Sequence, residues 1–167
     1  MRSEGDRVPT QKTSLWTFLL ALCLIAFGLN WPWEMAQMPA YAEMAGRSWL
    51  ETALPCTVAA LGDVGLTLGV CGLGALAAGR AGWGMEGSWN VYAAAALLGG
   101  ICALAFEWQA LAFGRWSYDE RMPVVPLLGV GLWPALQLIL LTPVSLGAAR
   151  WCVRMMSRKR RTEEFSP

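Results

Sequence analysis

Histidine is absent from this 167-residue chain. Without an imidazole there is no Ser-His or Cys-His catalysis, no His-based zinc site and no ordinary proton switch near neutrality. Charge is scarce as well. Asp, Glu, Lys and Arg supply 15% of the residues, against about 25% in a typical soluble domain. The five cysteines, Cys23, Cys56, Cys71, Cys102 and Cys152, form no C-x-x-C pair. Four of them fall within or beside apolar segments, where a thiol serves as a small hydrophobe rather than as a metal ligand or half of a disulfide framework. The net charge of +1 offers no electrostatic footprint for nucleic acid. No motif implies a cofactor.

Apolar sequence fills the space that charge leaves, at 56% of all residues. It is gathered into four runs, 14–31, 57–78, 90–113 and 124–149. At 1.5 Å per residue each is long enough to cross about 30 Å of hydrocarbon. The predicted fold is all-α: a four-helix transmembrane bundle forming one domain over residues 14–151, with the lipid bilayer as its main partner. A tail (1–13) precedes it and a basic tail (152–167) follows. Pro32 suits a helix start, so residues 33–45 are expected either as an additional short interfacial helix or as an extension of the first span. Gly65 and Gly69 form a G-x-x-x-G, read as packing inside the bundle rather than as a homodimer face. Pro134 and Pro143 are expected to kink the fourth span. An A-x-A at Ala40–Ala42 stands too far beyond the first apolar run for a cleavage site, so the first helix is read as uncleaved.

Four spans put both termini on one side of the membrane. That side carries Arg2, Arg7, Lys12, Arg80, Arg150, Arg154, Arg158, Lys159, Arg160 and Arg161; the opposite loops carry only Arg47, Arg115 and Arg121. The positive-inside rule then predicts that both termini are cytoplasmic. The run from Arg158 to Arg161 serves as a topology anchor, or also holds anionic lipid at about 1 kcal/mol per basic residue.

The acids inside the spans carry the functional reading. Asp63 and Glu107 lie within the second and third runs, and Glu34 ends the first. An ionisable group at such a position is by default a functional-site hypothesis. Counted from the expected boundaries, both Asp63 and Glu107 fall about 10 Å below the non-cytoplasmic surface. Asn30, Glu34 and Gln137 add polar groups to the same half. Two arrangements are open. Arg115 or Arg121 reaches down to pair with a buried acid, or one acid keeps its proton beside an ionised one, which is an acid/base arrangement. A hard cation held by Glu34, Asp63 and Glu107 has no D-x-D cluster behind it, so no metal site is assigned. Trp33 and Trp108 adjoin Glu34 and Glu107, as ligand contacts or as interfacial anchors.

Several strings occur together: Phe106-Glu107-Trp108, Gly114-Arg115-Trp116-Ser117-Tyr118, Met122 to Pro126, Gly129 to Pro134, Gln137, Trp33-Glu34 and Gly62-Asp63. In these the chain resembles a group of small, uncharacterised bacterial inner-membrane proteins of four spans. The resemblance implies a bacterial integral membrane protein of the inner membrane and carries no activity. From the residues themselves, the expectation is a polar pocket that binds, and in one version alters, a lipid-like or amphipathic ligand. Asp63 and Glu107 would be its acid/base pair. Arg115, Glu34, Gln137, Asn30, Trp33 and Trp108 would be its binding residues. The competing expectation is an accessory or assembly subunit, homo-oligomeric or part of a larger membrane complex, in which these groups are interhelical contacts. A transporter ranks behind both, because the two halves show no inverted repeat.

Overall fold

Continuous apolar runs, which in lipid must satisfy their backbone hydrogen bonds internally, form four long helices in a computed structural model that describes residues 11–164. They are α1 (Gln11–Gln37), α2 (Trp49–Ala78), α3 (Trp89–Ala112) and α4 (Leu132–Glu164). All four are long and apolar enough to cross a bilayer, so the chain is a multi-pass membrane protein with an all-α fold. The helices run up and down in a ring, with α1 against α2 and α4, α3 against α4, and a sparser contact between α2 and α3. The start of α1, the end of α4 and the 79–88 connection form one end, here the base. The 38–48 and 113–131 connections form the other, the crown.

Each helix buries one face. On α1 it advances four residues at a time through Phe18, Leu22, Ala26, Asn30 and Glu34. That stripe is apolar toward the base and polar toward the crown. At the base Phe18, Leu22, Val70, Cys71, Trp83, Val91, Ala95 and Leu146 pack together. At the crown a smaller cluster joins Met38, Ala40, Tyr41, Cys56 and Met122. In lipid, association of the helices depends on such close packing and on interhelical hydrogen bonds, because tails are as apolar as leucine.

Element boundaries differ from expectation in ways that have local causes. The first span does not stop near residue 31. Of the two expectations for residues 33–45, the extension of the first span holds as far as Gln37, with α1 continuing through Pro32, and in place of a separate interfacial helix there are two 3-10 turns, Met38–Ala40 and Ala42–Met44. α2 starts at Trp49 rather than near 57, because Ser48 and Glu51 form a capping box: the Glu51 N–H donates to Ser48 Oγ (3.4 Å) and the Ser48 N–H to Glu51 Oε2 (2.8 Å). α4 starts at Leu132 rather than near 124. Residues 124–131 instead make a hairpin of β1 (Val124–Val125) and β2 (Val130–Gly131), turned by Gly129 at φ +67°. Pro134 therefore falls in the first turn of α4, where its missing N–H costs little, and the kink expected there does not arise. Pro143 lies in the interior of α4. α4 then runs on to Glu164, so most of the expected basic tail is helical. Arg2 and Arg7 lie outside the described residues.

The G-x-x-x-G is also corrected. Gly65 and Gly69 are exposed on α2, Gly65 at the edge of a cavity described below, and a Cβ added to either would meet no atom within 4 Å. They pack against nothing in this chain. Cys56 and Cys71 are buried and the other three cysteines are partly buried.

Candidate functional site: an acid-lined cavity

Between the two apolar clusters lies a polar layer supplied by α1, α2 and α4. Its centre is Gln137, one turn into α4. Gln137 Nε2 stands 2.9 Å from Asn30 Oδ1, 2.8 Å from Glu34 Oε1 and 2.7 Å from Asp63 Oδ2. An amide nitrogen has two hydrogens, so these three acceptors share two. Gln37 Nε2 donates to Glu34 Oε1 (3.0 Å) and to Gln137 Oε1 (2.9 Å). Asn30 turns its own N–H inward along its helix, to the Ala26 carbonyl at 2.8 Å. Gln37 Oε1 is buried with no hydrogen-bond partner among the described residues. Glu34 and Asp63 thus meet on the same amide, Gln137 Nε2. The layer holds more acceptors than donors.

Glu107 stands across the cavity from this layer and is served separately. Its Oε2 accepts from the Tyr118 hydroxyl and from Trp116 Nε1 (3.4 Å). Tyr118 Oη in turn accepts from the Gly131 N–H at 2.8 Å. Tyr118 is fixed because the two crown connections dock on one another. Tyr41 and Tyr118 form an antiparallel bridge, the Ala42 N–H bonds Ser117 O (3.0 Å), and the Asp119 N–H bonds Ala40 O (2.9 Å). Glu43 adds a side-chain tie, accepting from the Ser117 N–H and hydroxyl at 2.8 and 2.9 Å. The rings of Tyr41, Trp116, Tyr118 and Phe106 pack edge-on or tilted, with centroids about 6 Å apart. Burial, with the nearby Glu107 carboxylate adding to it, pushes the Tyr41 and Tyr118 hydroxyls well above the ordinary phenol value. Both therefore remain hydrogen-bond donors throughout the physiological range.

The two halves enclose a cavity of about 850 Å³. Glu34, Gln37, Asp63, Glu107 and Gln137 supply much of its polar lining, with Glu43 and Arg115 adding to it, and Met38, Met44, Leu54, Val58, Leu66 and Phe106 much of its apolar wall. Leu54, Val58 and Phe106 are also exposed on the outside of the bundle, as are Gly62 and Gly65, which line the cavity too. The cavity thus opens sideways between α2 and α3. At the base, Val70 and Cys71 of α2 and Val91 and Ala95 of α3 belong to one packed cluster. A volume near 850 Å³ falls in the range of small-molecule sites, about 300–1,000 Å³.

Of the residues expected from sequence, Glu34, Asp63, Glu107, Arg115 and Gln137 line this one cavity. Asn30 stands behind it, reached through Gln137. The expected ion pair to a buried acid is not formed. Arg115 is exposed at the rim, and among the described residues the ion pairs are Arg80–Glu86 (3.1 Å) and Arg121–Asp119 (3.6 Å). Glu107 has taken Tyr118 and Trp116 instead. Trp108 and Trp33 do not line the cavity. Trp108 is 48% exposed and donates to the Leu128 carbonyl (2.8 Å), pinning the hairpin. Trp33 Nε1 is buried without a partner among the described residues. The expected depths also shift: with α2 beginning at Trp49, Asp63 lies near the middle of its helix. Among the described residues no three metal-ligating side chains are grouped to hold an ion.

Gln37, Tyr41, Trp116 and Tyr118 were not anticipated. Gln37 was legible in principle, since Asn30, Glu34 and Gln37 fall on one helical face at i, i+4 and i+7. That face is visible only if α1 is carried through Pro32. The aromatic residues reach the site through loop docking, which no periodicity encodes. No family model, curated protein or solved structure matches the chain.

Proposed function

We propose that this protein binds an amphipathic, lipid-like molecule that reaches the cavity sideways from the bilayer, between α2 and α3. The observation that carries the reading is an acceptor-rich polar floor beneath an apolar cavity open to lipid. Its polar groups outnumber the donors that serve them, which favours a head group that brings hydroxyl or ammonium hydrogens. The apolar walls suit the chain behind that head. Glu34 and Asp63, gathered on one amide, and Glu107 across the cavity supply acid/base groups for chemistry on that head. Arg115 at the rim is the cationic contact. The surplus of basic residues at the base supports an orientation with both termini cytoplasmic and the cavity in the outer half of a bacterial inner membrane.

Native mass spectrometry of gently extracted protein tests the proposal. The wild type is expected to carry a bound amphiphile of defined mass. Gly65→Phe, which plugs the lateral mouth from a position with free space, and Glu107→Gln are expected to lose it while protein abundance stays unchanged. Equal retention in all three proteins overturns the reading. The open glycine face of α2, Gly62, Gly65, Gly69 and Gly72, favours a second reading, an accessory subunit whose partner helix covers that face. Under it Gly69→Leu releases a co-purifying chain, and the acid substitutions lower abundance.

A further inference from the structure

At the base, far from the acid-lined cavity, three arginines surround a second hollow that the proposed function does not use. α4 brings Arg150, Arg154 and Arg158 onto one face at i, i+4 and i+8. They line a cavity of about 600 Å³ together with Phe18, Met85 and Val153. Like charges spaced four apart on a helix repel one another. Here no carboxylate relieves them: among the described residues the ion pairs are Arg80–Glu86 and Arg121–Asp119, and neither involves these three.

Arg150 is held in place rather than free to swing into solvent. Its Nη1 donates to the Tyr92 hydroxyl at 3.2 Å. Its guanidinium lies over Gly87, where any Cβ would overlap it, so the absence of a side chain at 87 makes room for the arginine. Its Nε is buried with no acceptor among the described residues. A guanidinium stays charged in a protein and presents a planar fork of donors that matches a phosphate. Ser157 does not compete, because its hydroxyl donates to the Val153 carbonyl at 2.9 Å. The level in the membrane follows from aromatic residues. Trp16, Trp89 and Trp151 are exposed around the bundle at this end, and exposed tryptophans collect at head-group depth.

From this geometry we infer a binding site for the phosphate of an anionic phospholipid, cradled by Arg150, Arg154 and Arg158, with its glycerol and upper chain against Phe18, Met85 and Val153. The site is independent of the crown cavity and does not depend on how that cavity is used.

The test uses the full chain reconstituted in bilayer discs of phosphatidylcholine containing phosphatidylglycerol, then released for native mass spectrometry. The wild type is expected to retain phosphatidylglycerol in preference to the more abundant phosphatidylcholine. Arg154→Gln and Arg158→Gln, both at exposed positions, are each expected to weaken retention about fivefold. Arg150→Lys keeps the charge but loses the fork, and is expected to weaken it as well. Equal retention by the wild type and an Arg154→Gln/Arg158→Gln double variant overturns the site. So does equal retention of the two lipids. If millimolar inorganic phosphate displaces the phosphatidylglycerol, the occupant is a free anion and the assignment to lipid falls.

Discussion

Tyr118 decides how Glu107 is presented to the cavity. Its hydroxyl spends its hydrogen on the carboxylate and accepts the Gly131 N–H, so one side chain joins an acid on α3 to the start of α4. Tyr118→Phe leaves Glu107 with Trp116 alone and strands the Gly131 N–H, and is expected to cost about 1–3 kcal/mol. Thermal unfolding in detergent measures it. The same residue sets a pH dependence whose sign can be worked out. A tyrosine in an unfolded chain titrates near about 10, while burial beside Glu107 raises Tyr118 and Tyr41 above that value. Below that pH both states keep the phenolic protons and stability is unaffected. Above it the unfolded chain releases protons that the folded chain holds, so stability falls as pH climbs toward the folded values. Melting temperatures taken from pH 8 to 11 should decline from about 10 upward. The decline should be shallower in Tyr118→Phe. A flat profile in the wild type would mean that the two phenols are not buried against carboxylates.

Helices divide their glycines into two kinds that the sequence does not distinguish. Gly99 of α3 faces α4 so closely that an added Cβ would stand 2.7 Å from the Leu138 carbonyl oxygen, whereas Gly69 of α2 faces open space. Gly99→Ala is therefore expected to destabilise by about 1–3 kcal/mol, since backbone cannot yield as a side-chain tip can. Gly69→Ala is expected to be neutral or slightly stabilising. Unfolding curves in mixed detergent compare the two directly, and a reversed order would misplace α2 or α3. Read from sequence, the prominent G-x-x-x-G drew attention to the wrong glycines, because spacing reports a shared face without saying which way it points. Other elements were legible. Residues 90–113 anticipated α3 to within a residue, because that run has no proline and ends cleanly in polar sequence. The fourth run failed at its start: Val124–Gly131 is as apolar as a helix turn, and only the Pro126 and Gly129 flanks hinted at a hairpin. The acids were legible because charge is so rare in the spans. Their partners Tyr118 and Trp116 were not, because a loop carries them back over the bundle.

For the whole molecule the decisive quantity is which end faces the cytoplasm, because it fixes which leaflet the α2–α3 opening faces. The crown holds Arg47, Arg115 and Arg121, beside Glu43, Asp119 and Glu120; the base holds Arg80 and the arginines of α4. Short connections such as 79–88 are where a charge bias acts on topology, so the bias opposes moving the base across the membrane. Single cysteines in a background lacking the five native ones read this out. Glu120→Cys sits at the crown and Ser88→Cys at the base, both at exposed positions. A membrane-impermeant maleimide applied to intact cells is expected to label Glu120→Cys, and to reach Ser88→Cys only after lysis. The opposite pattern would turn the molecule over. The α2–α3 opening would then face the inner leaflet, and the arginines at the base would meet the outer one. Labelling at both positions in intact cells would indicate two populations. In that case the charge difference between the ends is too small to hold one orientation, and shifting Arg80 to Glu should enlarge the inverted fraction.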